Sequence, residues 1–171
     1  MAEMFENKPL PRRSLAGLTI GAIIAVLVIG GSTYWWLNRT PSIQDQTAQI
    51  LAGADRPGSP EFDDLQKKIM IAKDENKTVE SPTGLGTISM FIYGTIYNRT
   101  GKTITALEVN VNVTDQQKNV IKDKNVLVVP VQQPSIGPGE SIPITTTLDG
   151  FDRKADRANY NFKVTAIKVE G

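Results

Sequence analysis

The chain has 171 residues, nineteen Lys and Arg against eighteen Asp and Glu, and neither cysteine nor histidine. That length leaves room for one ordinary domain beside an anchor and a linker. Without cysteine and histidine there is no disulfide framework, no thiolate or imidazole metal site and no near-neutral imidazole base, which removes most hydrolase and metalloenzyme arrangements.

In chain order, residues 1–13 read as a short cytoplasmic tail carrying Lys8, Arg12 and Arg13. Residues 14–38 read as a transmembrane helix, because Leu15 to Leu37, LAGLTIGAIIAVLVIGGSTYWWL, holds no charged side chain. At about 1.5 Å per residue this run reaches roughly 34 Å, enough for a hydrocarbon core of about 30 Å. Arg12 and Arg13 anchor one interface, and Tyr34, Trp35 and Trp36 the other. Such flanks predict a cytoplasmic amino terminus and an extracytoplasmic remainder, periplasmic in a bacterium. A signal peptide would have a shorter apolar stretch and an A-x-A site before the tryptophans. Gly17, Gly21 and Ala25 recur every fourth residue and predict a face where a second helix approaches closely. Membrane lipid and other membrane protein subunits are therefore the expected partners. After Leu37 sixteen charges of each sign remain, a balance that gives no electrostatic reason to expect nucleic acid.

Residues 39–60 read as an extracytoplasmic linker. Pro41, Gly53, Pro57, Gly58 and Pro60 make it mostly an extended spacer, with a short helix over Ile43 to Leu51. From residue 61 to 171 the pattern turns to period two, the mark of strands with one buried face. Strands are expected at Leu65 to Lys73, Gly86 to Tyr97, Ile104 to Thr114, Val120 to Val131, Ser141 to Leu148 and Tyr160 to Val169. In Ile104 to Thr114, Leu107, Val109, Val111 and Val113 alternate with Glu108, Asn110, Asn112 and Thr114, so one face is core and the other wet. In Gly86 to Tyr97 the faces are less distinct: Ile88, Met90, Ile92 and Ile96 stand on one side, Phe91, Tyr93 and Tyr97 on the other. Strand aromatics usually pack inward, which favours the rings as core. The alternative makes them a protein-contact surface, since interfaces favour such rings. Asn98-Arg99-Thr100-Gly101 reads as the turn of a hairpin joining these two strands. Asp149-Gly150 should end the Ser141 strand. The whole reads as all-β, a small immunoglobulin-like β-sandwich preceded by one transmembrane helix.

Gly94-Thr95-Ile96-Tyr97-Asn98, Gly101-Lys102-Thr103, the alternating strand ending at Asp115, and Ile136-Gly137-Pro138-Gly139-Glu140 together resemble the bacterial FxLYD domain. Where that family has F-x-L-Y-D, this chain has Val111-Asn112-Val113-Thr114-Asp115, keeping the aspartate and the apolar alternation without the aromatics. The resemblance implies an immunoglobulin-like sandwich on a single-pass envelope protein, serving adhesion or assembly without catalytic residues.

Other clusters have plain alternatives. Asp149, Asp152, Asp156 and Glu170 suggest a calcium site, but Arg153, Lys154 and Arg157 among them favour a self-paired loop. Asp63, Asp64, Asp74 and Glu75 suggest paired carboxyls for glycoside chemistry, with nothing to place them across a cleft. Asn38, Asn76, Asn98 and Asn112 begin N-x-(S/T) triplets, acceptors only in a eukaryotic secretory setting. No catalytic, metal or cofactor site is expected. The function that follows is a non-enzymatic accessory or assembly subunit of a larger membrane complex; the alternative is a free-standing envelope protein that captures a soluble ligand or cell-wall polymer.

Overall fold

The computed structural model describes residues 15–37 and 42–170, with side chains at 25–37, 42 and 44–170. The chain divides into two compact units, Met1–Asp45 and Gln46–Gly171. In the first, α1 spans Leu15–Leu37. Among the described residues, which include the α1 side chains only from 25 to 37, no helix is long and apolar enough to cross a membrane. Next comes α2 (Ile43–Ile50), capped reciprocally: Ser42 Oγ donates to Asp45 Oδ2 at 2.7 Å, and the Asp45 N–H donates back to Ser42 Oγ at 3.1 Å.

The second unit is mostly β, two antiparallel sheets packed face to face. It opens with α3 (Pro60–Gln66), where the strand pattern had been expected to begin at Leu65. The cause is local: Ser59 Oγ accepts the Phe62 N–H at 3.1 Å, and Pro60 in the first turn fixes a helical φ. β1 therefore starts later, at Ile69–Lys73, and β2 (Val79–Pro82) is short and exposed throughout, with no buried face to give it a sequence signature. β3 (Ile88–Asn98), β4 (Ile104–Thr114), β5 (Val120–Val129), β6 (Ser141–Phe151) and β7 (Asn159–Val169) follow.

β1 and β2 pair along one edge of β3 and β6 along the other; the second sheet runs β5-β4-β7. The expected β3–β4 hairpin does not form, because these strands lie in opposite sheets. Each has an apolar face, and the two faces meet across the core: Ile92 and Ile96 from β3, Leu107, Val109, Val111 and Val113 from β4, all fully buried. Gly94 sits where a Cβ would lie 2.8 Å from the Ala72 carbonyl oxygen and 3.0 Å from the Phe162 ring, so only glycine fits. β6 continues past Asp149-Gly150 rather than stopping there. Gly150 takes φ +76° in a bulge that shifts the register against β3, and pairing resumes at Phe151 with Ile88.

Residues 46–60 also depart from the spacer reading. Leu51 is 4% exposed, packed with Ala106 of β4 and Ala166 of β7 on the outer face of the second sheet. Asp55 exchanges two backbone hydrogen bonds with Ile167, at 2.7 and 3.0 Å, and Lys168 Nζ donates to the Ala52 carbonyl at 3.0 Å. This strap belongs to the sandwich. Leu51→Ala should cost residues 46–171 about 2–4 kcal/mol, the range for truncating a buried leucine, measured by urea unfolding. A fragment starting at Ser59 should be less stable than that variant, because it also loses the Asp55 pairing.

Candidate interaction surface

The faces of β3 are settled by burial: Met90, Ile92 and Ile96 point into the core, while Phe91 is 37% exposed and Tyr93 and Tyr97 are half-buried on the outside. This corrects the core reading of the three rings. Packing between the sheets decides it, since β4 brings its valines against the isoleucine side. The register sets the neighbours of the rings on the outer face. Phe91 lies between Val79 and Thr147, Tyr93 beside Thr145, and Tyr97 between Met70 and Ser141. Val79 is 53% and Met70 42% exposed. Asp74, whose N–H donates to the Tyr93 carbonyl at 3.0 Å and whose carboxylate pairs with Lys77 at 3.3 Å, stands beside the rings on one side, and Asp149 follows Thr147 along β6 on the other. Met70, Val79 and the β6 threonines were not singled out from sequence, because only the pairing puts them beside the rings.

The outer face of the second sheet is built differently. Asn110 Nδ2 donates to Asp123 Oδ2 at 2.9 Å and Asn125 Oδ1 at 2.7 Å, and Glu108 Oε2 accepts from Thr165 Oγ1 at 2.7 Å. With Lys163 and Lys168 on β7, it is an ionic and amide surface.

Several members of the clusters weighed for chemistry make bonds within the fold. Arg157 makes a bidentate pair with Glu80 at 2.9 and 3.0 Å and donates to the Asp152 and Ala155 carbonyls, so β2 is tied to the β6–β7 loop. The bond to Glu80 raises the Arg157 pKa further above its ordinary value. Asp152 Oδ1 accepts the Lys154 N–H and Asp156 Oδ2 the Gln116 N–H, while Glu170 is bonded through its N–H to Thr103. Among the described residues no group of acids is placed to hold a metal ion. Asp64 pairs with Lys68 and Asp74 with Lys77, each at 3.3 Å, on different elements. A shallow groove of about 270 Å³ beside α3 is lined by Asp55, Glu61, Asp64, Lys68 and Lys102 among others, with that Asp64–Lys68 pair inside it.

Asn98, weighed only as a triplet asparagine, is fully buried. Its Nδ2 donates to the carbonyls of Lys102, Ile136 and Gly137 at 2.8, 2.9 and 3.0 Å, and its Oδ1 accepts the Thr100 N–H and hydroxyl at 3.0 and 2.6 Å. It therefore cannot be a glycan acceptor in the folded chain. Asn76 is exposed, Asn112 half-buried, and Asn38 lies outside the described residues.

In α1, Ala25, Tyr34, Trp35 and Trp36 are exposed. Ser32 and Thr33 hydroxyls donate to the Ile29 carbonyl at 3.0 and 2.7 Å, so neither is left without a partner. Arg12 and Arg13 lie outside the described residues, and of Gly17 and Gly21 only the helical backbone is described.

Replacing Asn98 by Ala removes its side-chain donations to two loops at a fully buried site and leaves the Thr100 N–H without its acceptor, and should destabilise the domain by about 2–4 kcal/mol in urea unfolding. A second expectation concerns Asp115, whose carboxylate accepts the Asn119 side chain at 2.9 Å and its backbone N–H at 2.8 Å. These bonds hold its pKa below the ordinary aspartate value, the Asn119 side chain contributing most. A depressed pKa means a contribution present above the unfolded value and lost as pH falls through the folded one. Residue-resolved NMR titration should find Asp115 below the ordinary aspartate value, and Asn119→Ala should move it up.

No family model matches the chain, and no curated protein matches it. Among solved structures it is similar to a Northeast Structural Genomics Consortium target, SoR45, at 10% identity, covering 61% of this chain and 87% of that one with a TM-score of 0.40. It is also similar to a protein described as ApaA from Bordetella pertussis, at 14% identity, covering 59% and 87% with a TM-score of 0.30.

Proposed function

We propose that this is a non-enzymatic, single-pass membrane protein whose immunoglobulin-like, FxLYD-type sandwich acts outside the cytoplasm as an accessory or assembly subunit. The observation that carries this reading is the contrast between the two outer faces. One is ionic and partly covered by the chain's own strap; the other bears Phe91, Tyr93 and Tyr97 among threonines, Met70 and Val79. Patches with exposed rings suit protein contact.

Support for the anchor comes from Leu15–Leu37, helical and free of charge, with Tyr34-Trp35-Trp36 at its end. Hydroxyls bonded back to the helix backbone suit an apolar medium, where an unsatisfied polar group is costly. Support for the family comes from the residues that carry the resemblance. Asn98 and the Gly137–Glu140 turn bond to each other, and Asp115 closes the β4–β5 turn.

Two measurements test the proposal. Protease added to spheroplasts should remove everything beyond Arg39; cutting only after lysis would reverse the topology. Thr145→Lys places a long charged side chain beside Tyr93 at an exposed site, and should leave membrane level and melting unchanged while shrinking the particle extracted in mild detergent. An unaltered particle would overturn the assembly role.

A further inference from the structure

We infer that the β6 edge is a strand-pairing site which the chain keeps shut with its own side chains: Gln132, Lys124 and Lys122 stand where an added strand would lie. The closure holds whatever partner the rings of β3 meet.

Among the edges of the first sheet, β6 is the one that needs closing. On the far side of β3 the strands are short, β1 with five residues and β2 with four, whereas β6 has eleven. Its middle, Ile144-Thr145-Thr146-Thr147-Leu148, holds no charge, glycine or proline and is mostly β-branched. A long edge of that kind, left open, offers a template to any extended chain. In the other sheet, β7 already takes Asp55 of the strap at Ile167.

The capping bonds fall where a strand would make them. The Glu140 carbonyl accepts the Asn98 N–H, so alternation turns the backbone groups of Pro143, Thr145, Thr147 and Asp149 away from β3. Pro143 has no N–H to offer. Gln132 bonds both groups of Thr145, donating to its carbonyl at 2.8 Å and accepting its N–H at 3.0 Å. Its carboxamide thus makes the pair of bonds that one residue of an antiparallel strand makes with the residue opposite. Lys124 donates to the Thr147 carbonyl at 3.3 Å, and Lys122 to that of Asp149. From Pro143 to Asp149, each outward position either lacks a donor or has its carbonyl taken.

The caps are themselves held. The Gln132 N–H donates to the carbonyl of buried Val128 at 2.7 Å. Lys122 and Lys124 lie opposite the core residues Val113 and Val111 in the β4–β5 register, so they leave β5 on the side that faces the first sheet. Charges pointing inward from an edge strand guard that strand as well.

Full-length protein in mild detergent provides the test. Gln132→Ala should speed hydrogen exchange of the Thr145 amide about fivefold or more, while the amides of Ile144 and Leu148, turned toward β3, keep their rates. Combining Gln132→Ala with Lys122→Ala and Lys124→Ala should give a larger particle by light scattering than the unsubstituted chain, as β6 edges of two copies pair antiparallel about a twofold axis. Adding Thr147→Pro removes an outward N–H without breaking the ladder to β3, and should return the particle to its original size. An unchanged Thr145 rate, a triple variant of unaltered mass, or an enlarged particle that Thr147→Pro does not reverse would overturn the inference.

Discussion

One buried amide holds together the end of the sandwich where the chain passes between sheets. Asn98 closes β3, and its side chain spans three carbonyls from two loops while its own oxygen fixes Thr100. Its backbone is bonded on both sides as well, N–H to Glu140 and carbonyl from the Gly139 N–H. A side chain with two donor hydrogens and one acceptor oxygen is suited to this work, since an aliphatic residue would take one of two donors from each of those carbonyls and leave the Thr100 N–H without its acceptor. Gly101 and Gly139, both at positive φ, let the two loops turn tightly around it. Ile104 and Ile136 then pair through two backbone bonds directly beneath, at 2.9 and 3.0 Å. The crossing from β3 to β4 is thus fixed by a polar contact, and the packing of isoleucines against valines depends on that crossing being where it is.

The alternation of β4 was legible residue by residue, because one face is aliphatic and the other amide and acid, leaving a single register compatible with burial. β3 was legible as a strand but not in its orientation. Both of its faces are apolar, and local sequence cannot say which one another sheet will cover. The same limit explains the hairpin that does not form: Asn98 to Gly101 has good turn chemistry, yet the chain uses it to change sheets. α3 carried its own signal in Ser59-Pro60-Glu61, overridden by the hydrophobic pattern that follows it. Leu51 carried none. One leucine among glycines and prolines becomes core only because two alanines, Ala106 and Ala166, leave space for it on the opposite side of a sheet.

Charged side chains in this domain act mainly as ties between elements distant in sequence. Arg157 joins the β6–β7 loop to β2, and Lys73 of β1 reaches Asn159 and Asn161 of β7 at 2.8 and 3.1 Å across the open side of the sandwich. The half-buried Arg157–Glu80 pair is bidentate and further satisfied by two carbonyls, the condition under which such a pair holds geometry rather than merely neutralising charge. A domain without disulfides needs ties of this kind at its loops, since the aliphatic core fixes the middle of the strands and not their ends. Among the described residues no buried side-chain polar atom is left without a bond, which places the polar groups of these clusters in service of the fold.

What remains for recognition is therefore surface that the fold does not use, and the two sheets differ in how much of it they leave. Small residues on the second sheet, Ala106 and Ala166, admit the strap, so that part of its outer face is already interior. The first sheet presents rings and β-branched hydroxyls in the corresponding position, side chains too large to receive a strap from the same chain and too apolar to be favourable over so continuous an area if left in water. The β6 edge bordering it is capped by Gln132, Lys122 and Lys124, which protects the sheet from lengthening without covering its face. Capping that edge while leaving the adjoining rings open separates the two ways a sheet can meet another chain, and the separation is made by side chains reaching across from the opposite sheet and its loop.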